Sequence, residues 1–226
     1  MNKRQKSRFS MLINVQQFMW RNRPALGAVI WSRAYAAICE AMNEVVACAT
    51  AQWVAQALGH RLTQTKAAIR DDLRTRNMQP IAAVALATLW NNPVIARLEV
   101  PRKGVSDAKL LAAASAMAAG ASRHRNVFLR AELPADFIPK LRHTASEIQR
   151  VLLERSQSRT ARVTATQGIE DQLRRASGIL PTLDAQVVEQ LAGQPALLAE
   201  WEIAMARVPV VVREAATPPK PGLDAA

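Results

Sequence analysis

Residues 169–191, IEDQLRRASGILPTLDAQVVEQL, carry an apolar side chain at every third or fourth position. The spacing averages about 3.5 residues, the period at which one face of an α-helix forms a continuous apolar seam. A seam of this kind is stable in water only against partner helices, so these residues predict the centre of a helical bundle. The seam positions are Ile169, Leu173, Ala176, Leu180, Leu183, Val187 and Leu191.

The composition of the whole chain favours helices. Of 226 residues, 42 are alanine and 22 are leucine, both strong helix formers, whereas 8 are glycine and 10 are aromatic. Apolar stripes at helical spacing recur within residues 38–53, 110–128 and 137–152. The sequence therefore predicts an all-α fold, an up-and-down helical bundle with long antiparallel helices, and excludes an all-β fold.

Prolines, glycines and capping residues predict where the helices begin and end. Pro24 suits the first turn of a long helix that Gly59 ends, and Pro80 is expected to kink or break the next helix. Asn91–Ser106 is expected to be the longest internal connection, with Ser106 as the N-cap of the following helix. Arg155–Arg159, rich in serine and arginine, predict a hinge before the seam. Within the seam, Gly178 and Pro181 predict a bend, because a proline inside a helix costs roughly 3 kcal/mol.

Three regions are expected along the chain. Residues 1–23 form a basic amphipathic N-terminal segment, and residues 24–207 form the helical bundle. Residues 208–226 include the run TPPKPG and few large side chains, so they are expected to be a disordered, proline-rich tail.

Three short motifs lie in the last third of the chain. They are RVTATQGI at 162–169, LDA at 183–185 and PALLAEWE at 195–202. Through them, residues 128–208 resemble a widespread group of bacterial helical proteins to which no activity is assigned. The resemblance implies a four-helix-type bundle and carries over no catalytic residue, and Pro181 departs from the uninterrupted helix expected of that group.

The chain is strongly basic, and the excess charge is uneven. It has 30 basic and 18 acidic side chains, a net charge of +12, and 7 of the basic residues precede the first acidic residue, Glu40. A surface of this kind attracts polyanions, acidic proteins or anionic lipid surfaces. The early basic residues are Lys3, Arg4, Lys6, Arg8, Arg21, Arg23 and Arg33.

The sequence lacks the patterns that support common kinds of catalysis. Its glycines never lie closer than ten residues, so it has neither a dinucleotide-binding nor a P-loop motif. No Glu-x-x-His pair supplies metal ligands, and Cys39 and Cys48, on opposite faces of one predicted helix, cannot form a disulfide with each other. We therefore expect a protein without catalytic activity, cofactor or metal.

The location of the protein is also predicted from its apolar runs. The longest uncharged interval, 77–96, contains two prolines, which leaves a continuous apolar run of about half the length of a membrane span. The N-terminus lacks the apolar core of a secretory signal. We expect a cytoplasmic protein with no membrane span.

Five arginines and one tryptophan are the candidate functional residues. The arginines alternate with hydroxyl side chains and suit contacts with phosphates, although a solvated arginine face is the alternative interpretation. Trp201, in a short late helix, is a candidate interface residue, while Trp20, Trp31, Trp53 and Trp90 are expected in the core. The arginines are Arg155, Arg159, Arg162, Arg174 and Arg175.

Two functions follow from these patterns. Helical seams without a chemical site favour a non-catalytic bundle that works through protein contacts, either with a partner protein or by self-association. The alternative is a basic factor that binds nucleic-acid phosphates through its arginine clusters.

Overall fold

A computed structural model describes residues 1–206, and 86% of these residues are helical, with no strand among them. The prediction of an all-α fold is confirmed. A 3-10 helix at Gly27–Trp31, a π-helix at Leu73–Met78 and a 3-10 helix at Pro93–Arg97 complete the helical structure. The α-helices are α1 (Lys3–Arg21), α2 (Arg23–Leu26), α3 (Arg33–Asp72), α4 (Gln79–Thr88), α5 (Asp107–Arg123), α6 (Arg125–Arg130), α7 (Phe137–Gln190) and α8 (Pro195–Met205).

The chain divides into two compact units. Of the described residues, unit 1 contains 1–52 and 163–206, and unit 2 contains Trp53–Arg162. The helices α3 and α7 each contribute residues to both units. This division differs from the predicted regions 1–23 and 24–207, and the predicted tail, 208–226, lies outside the described residues.

Unit 1 is built around the seam of α7. All seven seam residues are buried, so this prediction is confirmed. The seam packs in one core with α1, α8 and the first part of α3. Because Leu12, Val15 and Met19 of α1 are also buried in this core, the N-terminal segment is part of unit 1 and not a separate region.

Within unit 1, α3 and α7 are antiparallel. Glu40 pairs with Arg175 at 2.7 Å, and Gln52 donates a hydrogen bond to Thr166 at 2.7 Å, so rising positions in α3 meet falling positions in α7. They approach closely at Gly168, where a Cβ atom would lie 2.8 Å from Cys48 Sγ.

Unit 2 has its own core. Unit 2 contains the second part of α3, the helices α4, α5 and α6, and the first part of α7. Phe128 and Phe137 are buried there with their ring centroids 5.4 Å apart. Its large apolar residues include Leu73, Met78, Ile81, Leu110, Met117, Leu141 and Ile148.

Several predicted boundaries are wrong. The long second helix, α3, begins at Arg33 and not at Pro24, because Ser32 accepts a hydrogen bond from the backbone N–H of Tyr35 at 3.2 Å. It also continues through Gly59, whose missing Cβ leaves room for the Ser158 hydroxyl, 3.4 Å from the position that the Cβ would take. Glycine at this point therefore serves close helix packing.

The hinge predicted at Arg155–Arg159 is absent from α7, which runs unbroken from Phe137 to Gln190. The Ser158 hydroxyl is buried and donates a hydrogen bond to the Ala55 carbonyl at 2.7 Å, which fixes this part of α7 against α3. The helix also continues through Pro181, which is exposed and leaves one backbone carbonyl without its usual helical hydrogen bond.

Near Pro80 the chain stays helical, because the π-helix Leu73–Met78 leads directly into α4 and Pro80 occupies the first turn of α4. The predicted N-cap of the following helix is confirmed. Ser106 caps α5 by accepting a hydrogen bond from Lys109 N at 3.3 Å. None of the helices within residues 1–206 combines the length and apolarity that crossing a membrane requires.

Candidate functional site

Three of the predicted arginines line one cavity of unit 2. Arg155, Arg159 and Arg162 lie on successive turns of α7 and border a space of about 330 Å³ between α7 and α3. We call this cavity the basic groove. Its other lining residues are Ala55, Gln56, Gly59, His60, Thr63 and Ser158.

The floor of the basic groove is made by small residues. Ser158 and Ala55 are buried and joined by a hydrogen bond, and Gly59 faces Ser158 without a side chain. This close approach of α3 and α7 leaves the long side chains of Arg155 and Arg159 at an exposed rim. The result is a narrow floor with cationic walls.

A second basic cavity, of about 390 Å³, adjoins the basic groove, because Thr63 lines both. Its cations are largely satisfied by the protein itself. Asp107 pairs with Lys66 at 2.9 Å and also with Arg70, while Arg74 donates to the Arg102 carbonyl at 2.9 Å. Lys66, Ala67, Arg70, Asp71, Arg74, Lys103 and Gly104 line this cavity together with Thr63.

Positive charge is concentrated where the two cavities meet. Burial, followed by the neighbouring cations Arg155 and Arg70, holds the pKa of Lys66 below its ordinary value of 10.5. Within the part of the chain that the structure describes, Arg155 and Arg159 have no carboxylate within ion-pair distance. An anion entering the basic groove therefore meets Arg155 and Arg159, which no carboxylate of the described residues neutralises.

The other two predicted arginines belong to unit 1 and do not line the basic groove. Arg175 pairs with Glu40 at 2.7 Å, and Arg174 lies 3.5 Å from Asp171. The five arginines are therefore divided between the two units. Sequence reasoning missed His60 and the cations of the second cavity, because the pairing of α3 with α7 cannot be read from charge runs alone.

Trp201 is a core residue of unit 1, so its prediction as an interface residue is wrong. The side chain is 1% exposed, and its indole N–H donates to Asp184 Oδ1 at 2.7 Å. Its ring lies 5.2 Å from that of Phe18. The short helix α8 thus uses Trp201 to close the core of its own unit.

The remaining tryptophans, expected in the core, are exposed. Trp20 is 65% exposed, Trp31 87%, Trp53 70% and Trp90 69%. For Trp53 the reason is the helical register of α3. Its buried or half-buried stripe follows positions 45, 48, 49, 52 and 55, so the predicted positions 45 and 49 lie on it but 53 does not.

Trp53 belongs to an exposed apolar face of α3 in unit 2. Val54, Ala57 and Leu58 are exposed with it, and their spacing places all four residues on one side of the helix. We call this surface the Trp53 face. None of these four side chains is charged, and the exposed Arg61 lies one turn further along the same side of α3.

Within residues 1–206, no group of three or more histidine, cysteine, aspartate or glutamate side chains is placed to hold a metal ion. Cys39 and Cys48 are free thiols.

Comparisons with protein-family models, with curated proteins and with solved structures give no match to this chain. The resemblance of residues 128–208 to bacterial helical proteins therefore stays a prediction.

Proposed function

We propose that this protein is a non-catalytic helical protein that acts through contacts with other protein chains. The observation that supports this is the Trp53 face, on which a 70% exposed tryptophan lies among aliphatic side chains. Exposed tryptophan is costly to leave in water and is enriched among the residues that dominate binding at protein interfaces.

The position of the Trp53 face suits binding to an apolar helix. Its side chains project from the middle of α3, a helix of 40 residues, so little conformational freedom is lost when they are covered. The four side chains are also uncharged, so a partner that covers them does not have to remove a charge from water. The partner is either a second copy of this chain or another protein with an apolar helix face.

The experiment is site-specific photo-cross-linking of the full chain in extracts of the cells that make it. A photoreactive amino acid replaces Ala57 on the Trp53 face or, as the matched control, Ala108 on α5, which is also an exposed helical alanine of unit 2. We expect a discrete adduct from position 57 and none from position 108. Equal, diffuse labelling from both positions would argue against a docking surface at Trp53.

A second candidate function, binding of nucleic-acid phosphates, is favoured by the basic groove. Arg155 and Arg159 lie one turn apart with no carboxylate partner among the described residues, and Arg162 follows on the next turn. Arginine side chains along one helix make the phosphate contacts that position a protein on a duplex.

A salt titration of duplex DNA and RNA binding tests this candidate. Each phosphate contact contributes about 0.9 to the slope of log K against log salt, so Arg155→Ala and Arg159→Ala should each lower the slope by about that amount. Arg142→Ala, on an exposed position of the same helix outside the groove, is the control. Unchanged affinity in both groove variants would exclude this function for the basic groove.

A further inference from the structure

The connection between α1 and α3 in unit 1 combines exposed tryptophans with arginines. Trp20 is 65% exposed near the end of α1, and Trp31, at the end of the 3-10 helix, is 87% exposed. Arg21, Arg23 and Arg33 are also exposed. We call these five residues the α1–α3 tip.

The α1–α3 tip is held in place by the fold of unit 1. Leu26 is fully buried, and the Gln190 side chain donates a hydrogen bond to the Ala25 carbonyl at 3.3 Å. Gly27 has a φ of 50°, a left-handed backbone conformation that allows the sharp turn from α2 into the 3-10 helix. Trp31 is therefore exposed on an anchored turn.

The α1–α3 tip lies at an end of unit 1. The helices that it connects are antiparallel, since the N-terminal amino group of Met1 donates to Gln52 at 2.9 Å and Gln16 lies 4.0 Å from Cys39 Sγ. A connection between two antiparallel helices forms a surface at the end of those helices. Such a surface suits a flat partner better than a single nucleic-acid strand, which binds in a groove.

The charge of the α1–α3 tip is positive. The Arg23 guanidinium lies 4.7 Å from the centre of the Trp20 ring, and Arg21 and Arg33 have no carboxylate partner among the described residues. The first acidic residue of the chain is Glu40, which pairs with Arg175. Gln190, at the end of α7, contacts the connection between α1 and α3 through Ala25. Glu189 directly precedes Gln190 and is therefore the acidic residue next to that contact in the sequence.

We propose that the α1–α3 tip docks the protein onto an anionic lipid bilayer. Tryptophan side chains prefer the interface between lipid headgroups and hydrocarbon, because the ring is apolar and its N–H still needs a hydrogen-bond partner. Arginines beside them bind the anionic headgroups, whose surface potential attracts cations. The tip would thus hold unit 1 on the membrane surface without any helix crossing the bilayer.

The test measures binding of the full chain to vesicles of phosphatidylcholine alone or of equal parts phosphatidylcholine and phosphatidylglycerol. We expect binding to the mixed vesicles only, and roughly tenfold weaker binding for the variant that combines Trp20→Ala with Trp31→Ala. Arg21→Gln and Arg33→Gln should each weaken binding about fivefold, while Glu189→Gln should strengthen it. Circular dichroism confirms that each variant is folded.

Trp90→Ala is the matched control, because Trp90 is 69% exposed but belongs to unit 2. It should bind mixed vesicles as the unmodified chain does. Absence of binding to mixed vesicles would overturn the proposal, as would equal losses in Trp90→Ala and the tip variant. The proposal also fails if the tip variant loses DNA or RNA affinity but keeps its vesicle binding, since the tip would then be a nucleic-acid contact.

Discussion

The two halves of α7 have the same secondary structure but different surroundings. In unit 1, every apolar seam residue from Ile169 to Leu191 is buried, and Arg174 and Arg175 lie beside carboxylates. In unit 2, Arg155 and Arg159 border an open cavity and have no such partner within residues 1–206, and Leu153 is 60% exposed. Helix periodicity therefore locates a core, but it does not show whether the arginines outside the core are paired with carboxylates of the same chain.

The buried seam should dominate the stability of unit 1. Leu173 and Leu183 are fully buried, so Leu173→Ala or Leu183→Ala should lower the free energy of unfolding by about 2–5 kcal/mol. Arg174→Ala, next to Leu173 but exposed, should change it by about 0.5 kcal/mol or less. Urea denaturation checks this, and equal losses for Arg174→Ala and Leu173→Ala would show that the buried and exposed sides of α7 are interchanged.

Trp201 should behave as a core residue and Trp90 as a surface residue. Trp201→Phe removes the hydrogen bond to Asp184, so it should cost about 1–2 kcal/mol of unfolding free energy. Trp90→Phe should cost almost nothing, because that ring is mostly in water. Thermal denaturation of the two variants measures both changes. Unchanged stability of Trp201→Phe would contradict the burial of Trp201 in the core of unit 1.

Substitution of two glycines in α7 by alanine should affect stability differently, because one glycine has open space around it and the other packs closely against α3. Gly178 has open space around it, so Gly178→Ala should stabilise the protein by about 0.5–1 kcal/mol. At Gly168 the new Cβ would lie 2.8 Å from Cys48 Sγ, so Gly168→Ala should give no gain or a loss. Combining Gly168→Ala with Cys48→Ala should restore the gain in stability. Thermal denaturation measures these changes, and a Gly168→Ala variant as stable as Gly178→Ala would contradict the close approach of Gly168 to Cys48.

The contact between α1 and α7 should give unit 1 a small dependence on acid. The Gln5 amide, at 3.3 Å, and then Arg8, at 2.9 Å, hold the pKa of Glu170 below its ordinary value of 4.5. A lowered carboxylate pKa adds stability above pH 4.5, and this stability is lost as the pH falls through the folded-state pKa.

Glu170→Gln should therefore be less stable than the unmodified chain at neutral pH, with a difference that shrinks in acid. Urea denaturation from neutral pH down to pH values below 4.5 measures this difference. Glu147→Gln, on the part of α7 that lies in unit 2, is the control. A difference between Glu170→Gln and the unmodified chain that does not vary with pH would show that Gln5 and Arg8 leave the Glu170 carboxylate unperturbed.

Sequence periodicity predicted the seam well because every seam residue from Ile169 to Leu191 follows one period and is covered by helices of its own unit. It failed for Trp53, because the assumed steps of four residues drift from the buried stripe of α3. It also failed for the basic groove, whose floor depends on the contact between Gly59 and Ser158. That contact joins residues 99 positions apart and leaves no periodic signal in either helix.

The proposal of protein contacts is tested by the cross-linked adduct from position 57 in the Trp53→Ala variant. Because Trp53 is exposed, this change should leave the unfolding free energy within about 0.5 kcal/mol of the unmodified value. The adduct yield should nevertheless fall at least about tenfold, as expected when a tryptophan central to an interface is removed. An unchanged yield, or a loss that accompanies unfolding of the variant, would contradict a protein-binding role for the Trp53 face.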